Sequence, residues 1–361
     1  MFFHLFLTTR CNLSCRYCYG SAMEDKPFPF SADLCLPEEF TDFEGLKSFL
    51  ERDPDPTLIF YGGEPLLALE GMLWLMDHVK ARFILQTNGL LLNHLPPEYL
   101  SRLHTILLSI DGREETTDFF RGKGTFRRVL ENLRRLDFGG ELVARMTVME
   151  PVDIFEEVTW LLTNEDFPFR SVHWQLNAGF WADADRRNFA DWVEGYNLGV
   201  RRLAEWWVRQ MEGGKVLRIY PLLGVARSLL LHERCWMRCG AGHSNYAIQT
   251  DGRIVPCPAM WGMRSYYLGS IESSDPLNLP KIFPSGPCAQ CELLEVCGGR
   301  CLYAAITQKW GASYKLVCQS VRNLLESLLQ LLPRIRRVLE EGRVKMEDFD
   351  YLEFNGCEII P

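Results

Sequence analysis

What this chain lacks narrows its function before any motif is read. No apolar run reaches the roughly eighteen residues of a membrane-spanning helix. The first residues do not follow the basic, apolar, small-residue order of a secretory signal. The chain is therefore expected in the cytoplasm, with no membrane partner. It also lacks excess positive charge: 39 Lys and Arg stand against 47 Asp and Glu, for a formal net charge of -8. Without a basic face, nucleic acid is not an expected partner. Core-forming residues are plentiful, and 361 residues at 47% hydrophobic suffice for one large domain and a smaller one.

Cysteine is abundant, with 13 residues unevenly spread. Cys11, Cys15 and Cys18 lie near the N-terminus, eight more fall between Cys235 and Cys318, and only Cys35 and Cys357 stand apart. A reducing cytoplasm keeps thiols free, so such clusters read as metal ligands or catalytic groups in preference to disulfides. The distribution predicts two metal-bearing regions.

Between them, β-branched and apolar runs alternate with helical patterns. Residues 2–9, 57–61, 82–87, 105–110, 141–148 and 171–177 read as strands. The segments 37–52, 69–80, 126–136 and 154–164 place apolar residues at helical spacing. This alternation predicts an α/β protein with a parallel sheet, curled by right-handed crossovers into a partial (β/α)6 TIM-type barrel. The chemistry of such a barrel sits at the C-terminal ends of its strands. The short distinctive motifs fall there.

The first strand runs into TTRCNLSCRYCYG, a C-x3-C-x2-C loop. Three thiolates on a four-iron cubane leave one iron open to a chelating molecule. A zinc site is the bland alternative, although the loop has no histidine and only His4 lies nearby upstream. With Tyr17 before the last cysteine, the loop resembles the hallmark of the radical S-adenosylmethionine superfamily. That resemblance implies one [4Fe-4S] cluster chelated by S-adenosylmethionine, whose reductive cleavage yields a 5'-deoxyadenosyl radical. Cys11, Cys15 and Cys18 would be the catalytic cluster ligands. YGGEP follows the second strand, and its Gly62, Gly63, Glu64 and Pro65 resemble the motif that grips the cofactor's amino group. Asn88 in QTNG, Ser109 and Asp111 in SIDG, and Arg121 resemble further cofactor contacts at strand ends, with Tyr17 beside them.

The second cysteine group is C-x12-G-x4-C from Cys239 through Gly252 to Cys257, then C-x2-C-x5-C-x3-C over Cys288, Cys291, Cys297 and Cys301; sixteen residues then intervene before Cys318. Spacing alone would also suit zinc knuckles. The pattern resembles the SPASM domain of radical enzymes that modify peptides, including anaerobic sulfatase-maturating enzymes. It implies two auxiliary four-iron clusters, one on Cys235, Cys239, Cys257 and Cys301 and one on Cys288, Cys291, Cys297 and Cys318. Asp251-Gly252 is a hairpin signal between the flanking runs. The resemblance implies a barrel over residues 1–215, a SPASM domain over 216–320 and a C-terminal helix and tail over 321–361. The compact arrangement is also similar to peptide-modifying radical proteins of methanogenic archaea.

The implied activity is oxidation, crosslinking or a related change of a peptide or protein side chain. Implied partners are the substrate, an electron donor such as ferredoxin or flavodoxin, and a separate precursor-recognition protein. Sulfatase-maturating relatives carry an aspartate base after the cysteine matching Cys257, where this chain has Pro258. That departure argues against formylglycine formation. An iron–sulfur scaffold without catalysis and an enzyme acting on a small metabolite stay open as alternatives, although a pure electron carrier has no use for YGGEP.

Other residues carry weaker expectations. Pro333 should kink or break the helical pattern at 321–342. Cys357 lies in an apolar tail; it either packs inertly or donates a hydrogen atom to a substrate radical. Trp192, Trp206 and Trp207 fit helical packing, while Trp181, His173 and Gln175 are candidates for the substrate side.

Overall fold

The computed structural model describes residues 1–18, 35–177, 189–307 and 313–355. In chain order its first elements are β1 (Phe2–Thr8), α1 (Phe43–Leu50), β2 (Thr57–Gly62), α2 (Leu69–His78), β3 (Arg82–Thr87), the single turn α3 (Pro97–Leu100), β4 (Leu103–Ser109), α4 (Glu114–Arg121) and α5 (Thr125–Arg134). There follow β5 (Glu141–Val148), α6 (Ile154–Thr163), β6 (Ser171–Leu176), α7 (Phe189–Glu212), β7 (Arg218–Ile219) and α8 (Tyr220–Leu231). The last part holds β8 (Asn245–Ile248), β9 (Arg253–Val255), β10 (Gly269–Ser270), α9 (Leu294–Cys297), α10 (Leu302–Thr307) and α11 (Ser313–Glu340). All six strands expected from the sequence are present.

The chain forms two compact units that are not consecutive stretches. One holds residues 1–110, 114–143 and 240–283, and the other holds 111–113, 144–239 and 284–361.

In the first unit β1 to β4 run parallel and in order, with β8 on the free side of β1. Their runs are apolar because both faces are covered: Phe3, Leu5, Ile59, Phe60, Ile84, Leu85, Ile106 and Leu107 are all fully buried. Asp42 starts α1 by accepting from the Gly45 N–H at 3.0 Å. The expected hairpin is present, with β9 antiparallel to β8. Gly252, at φ 80°, occupies the left-handed turn position that its missing Cβ allows. β8 thereby joins the parallel sheet while β9 and β10 extend it antiparallel. The result is an open parallel sheet of the α/β class.

The second unit is built around α7 and α11. Trp207 of α7 is fully buried, and its indole N–H donates to the Leu217 carbonyl at 2.7 Å. Trp192 donates to the Val152 carbonyl at 3.2 Å, so both indoles serve packing, as their helical spacing predicts. β6 pairs parallel with β7, His173 is fully buried, and Gln175 accepts from Arg145 at 3.0 Å. Trp181 lies outside the described residues.

Pro333 does not break α11, which runs unbroken from Ser313 to Glu340. A proline removes the bond to the carbonyl four residues earlier, here Leu329. Leu329 is 48% exposed and Pro333 also faces outward, so water can satisfy that carbonyl while Leu328, Leu332 and Ile335 stay in the core. Among the described residues no helix is long and apolar enough to cross a membrane.

Candidate active site

The C-terminal ends of β1, β2 and β3 lie side by side because these strands are parallel. The chain leaving β1 turns directly across the end of β2. Gly63 N–H donates to the Thr8 carbonyl and Glu64 N–H to the Arg10 carbonyl, both at 2.8 Å. A Cβ on Gly62 would strike the Thr8 carbonyl, and one on Gly63 the Arg10 carbonyl. Gly62 also sits at φ 140°. The two glycines are therefore required by the passage of the cysteine loop over them.

Glu64 lies beneath this crossing, fully buried. Its Oε1 accepts from Leu66 N–H at 3.1 Å and from the Thr87 hydroxyl at 2.8 Å, and its Oε2 accepts from Asn88 N–H at 2.8 Å. Burial pushes the carboxyl up to about 7, against the pull of these three donors. Oε2 has one lone pair to spare in a setting shielded from water, where a cation is held strongly. Pro65 opens the short turn after Glu64 and is buried.

Asn88 joins this carboxylate to the cysteine loop. Its side-chain amide donates to Asn12 Oδ1 at 2.6 Å and lies 3.9 Å from the Cys11 Sγ. Protein packed around the Cys11 thiol pushes its pKa up, Glu64 and Cys18 add to the rise, and Asn88 and the Leu13 backbone oppose it. Cys18 N–H donates to the Cys15 carbonyl at 3.0 Å, so these two share a turn.

The far end of the loop rests on α4. Arg16 N–H donates to the Phe120 carbonyl at 2.9 Å, and the Tyr17 ring lies 5.6 Å from Phe120. Arg121 is buried, with its guanidinium 5.4 Å from the Tyr17 ring centre. Ser109 ends β4, half-buried. Asp111 belongs to the second unit, where its Oδ1 accepts from Thr147 N–H at 3.0 Å and holds the turn to β5. Thr87, Asn12 and Phe120 were not singled out from sequence. Thr87 could have been, since QTNG closes a strand next to YGGEP.

The later cysteines divide between the units. Cys257 follows β9 in the first. Cys235, Cys239, Cys288, Cys291, Cys297, Cys301 and Cys318 belong to the second. There the segment 235–238 is laced to the turn around Cys297: Cys235 N–H donates to Glu295 O at 2.8 Å and Met237 N–H to Gly298 O at 2.7 Å. Cys291 N–H donates to Cys288 O at 3.1 Å, and Arg322 of α11 pairs with Glu292 at 2.8 Å. Cys318 stands one turn before Arg322, so the ion pair ties the cysteine turn to its helix. The Cys297 thiol is pushed up to about 11, first by burial and further by Cys288, against the pull of the Gly299 backbone, Arg300 and Arg238. Cys35 is exposed, and Cys357 lies outside the described residues.

Among the described residues, no three Cys, His, Asp or Glu side chains converge tightly enough to hold one metal ion. A cubane cluster instead takes each thiolate on a separate iron. The donor set suits it: thiols come in turn-linked pairs, Cys15 with Cys18 and Cys288 with Cys291, and an amide N–H lies beside the Cys11 sulfur.

Residues 5–156 match the family model of the Radical SAM superfamily. The first part of the chain is a radical SAM domain, and such a domain works with a [4Fe-4S] cluster and S-adenosylmethionine. The similarity extends beyond it. The chain is 23% identical over 326 residues to the cysteine-type anaerobic sulfatase-maturating enzyme of Clostridium perfringens strain 13, covering 81% of this chain and 85% of that one. It is 24% identical over 380 residues to an uncharacterized protein of Archaeoglobus fulgidus, covering 95% and 85%. In fold it matches native anSMEcpe solved with bound AdoMet and the Cp18Cys peptide, at a TM-score of 0.69 and 20% identity over 94% of this chain and 99% of that one.

Proposed function

We propose that this radical SAM enzyme modifies a side chain of a peptide or protein. The carrying observation is the buried Glu64 cradle beneath the cysteine loop, accompanied in the second unit by a separate cysteine-rich turn. When bound, the cluster and S-adenosylmethionine supply one-electron cleavage of the cofactor's sulfonium bond and hydrogen-atom abstraction from an unactivated carbon.

The chain's own residues hold and orient. Cys11, Cys15 and Cys18 take three irons. Glu64, with its spare Oε2 lone pair, receives the cofactor's ammonium, and Asn88 fixes both the carboxylate and the loop. Tyr17 and Arg121 close the loop's far side. Cys288, Cys291, Cys297 and Cys318 hold an auxiliary cluster in the second unit, suited to taking up the electron left by a net two-electron oxidation. Pro258 supplies no base, which favours a crosslink, desaturation or epimerisation over formylglycine formation.

Similarity over most of the length of a maturase, together with a like fold that holds a peptide, supports a peptide substrate over a small metabolite. The test is anaerobic reconstitution with iron and sulfide counting, followed by S-adenosylmethionine and a reductant. Expected are more than about four irons per chain, the number in one cubane, and release of 5'-deoxyadenosine. Mass spectrometry against peptides encoded beside this gene then identifies the modified residue. Full cluster loading without cleavage would overturn the enzyme reading.

A further inference from the structure

Arg238 is buried, 4% exposed, in the second unit. Among the described residues its one hydrogen bond runs from Nε to the Val296 carbonyl at 2.8 Å, and no carboxylate pairs with it. Its Nη2 is buried and has no partner. A guanidinium cannot escape burial by losing its proton. An uncompensated buried charge is strongly destabilising, so the fold implies an anion here that is not a side-chain carboxylate.

The surroundings indicate which one. Arg238 precedes Cys239, and its Nε is bonded to the residue before Cys297. Arg300, a second buried arginine, follows Cys297 by three residues. Gly224 of α8 lies alongside, where a Cβ would stand 3.6 Å from Arg238 Nη1, in ordinary contact. A four-thiolate cubane is a buried anion whose potential responds to nearby charge and to hydrogen bonds on its sulfurs.

We propose that Arg238 is a positioning residue: the buried counter-charge and hydrogen-bond donor of the auxiliary cluster held by Cys297, where it raises that cluster's reduction potential. The inference rests on the reading that Cys288, Cys291, Cys297 and Cys318 hold a cluster.

The test uses the full chain with Cys11, Cys15 and Cys18 replaced by Ala, so that the auxiliary signals are read alone. After anaerobic reconstitution, iron and sulfide are counted and the clusters are titrated potentiometrically by electron paramagnetic resonance. If C297S removes no iron and no signal, the cluster reading fails and the proposal with it. If C297S removes a cluster, R238Q is expected to keep its iron but titrate more negative. At fixed potential its oxidised-to-reduced ratio should rise at least about tenfold, or about 59 mV for a one-electron couple. R238K, which keeps the charge, should stay nearer the parent. Iron lost in R238Q and kept in R238K also supports the proposal. Full iron with the parent potential in R238Q overturns it, and so does equal iron loss in both variants, which would assign Arg238 a packing role.

Discussion

The Thr87 hydroxyl donates to Glu64 Oε1 at 2.8 Å, so the end of one strand holds the carboxylate that follows its neighbour. Thr87→Val should leave Glu64 short of a donor in a buried site, at about 1 to 3 kcal/mol. A denaturant melt should show the loss, and the iron-loaded variant should bind S-adenosylmethionine more weakly. Unchanged melting and binding would mean that the hydroxyl contributes nothing.

The raised Glu64 pKa gives two opposite pH effects. The folded chain holds this proton more tightly than the unfolded chain does. That contribution to stability is therefore full below the ordinary value of 4.5 and lost as pH rises through about 7. Ammonium binding needs the ionised carboxylate, so S-adenosylmethionine affinity should fall as pH drops below about 7, approaching tenfold per unit. Glu64→Gln should abolish this dependence and lower affinity at pH 8; equilibrium dialysis across pH 6 to 8 checks both.

Gly63→Ala places a methyl group against the Arg10 carbonyl, which is backbone and cannot swing away. The expected result is loss of about four irons and of 5'-deoxyadenosine formation, while the auxiliary cluster signals persist. Wild-type cleavage by this variant would show that the loop can lift without harm.

Arg334 of α11 reaches both Glu205 and Glu212 of α7, at 2.7 and 2.9 Å. Hydrogen bonds from Arg334 hold both carboxyls below the ordinary value. Depressed carboxylates stabilise above the ordinary value of 4.5 and lose that contribution as pH falls from there through their lowered values. These groups are about a third exposed, so solvent screening limits Arg334→Met to about 0.5 to 1 kcal/mol. Thermal melts should show the difference at pH 7 and its disappearance near pH 3.

Pro333→Ala returns an N–H to the interior of a helix that already runs through this position. Stability should rise by about 1 kcal/mol or less, since the full cost of a helical proline, about 3 kcal/mol, is already partly relieved. A lower melting temperature would show that the proline shapes the helix.

Strands were legible because a parallel sheet covered on both faces leaves apolar runs such as Leu58 to Phe60 between polar ends. The glycines of YGGEP and the cysteine spacings were legible because backbone approach and metal ligation each restrict residue type. Pro333 misled because propensity cannot see that its orphaned carbonyl faces water. Thr87 and Arg238 carry no spacing signal, and their roles arise from partners 23 and 58 residues away. Asp111 shows the converse: a motif position at a strand end whose oxygen holds the Thr147 amide.

The crossing of the cysteine loop over β2 bears on how this protein meets oxygen. Its bonds from Gly63 to Thr8 and from Glu64 to Arg10 join peptide to peptide, with no iron among their atoms. A cluster destroyed by air would therefore leave its foundation in place, and the chain could be recharged without refolding. Repair at this site becomes a question of iron and sulfide supply, not of chaperones.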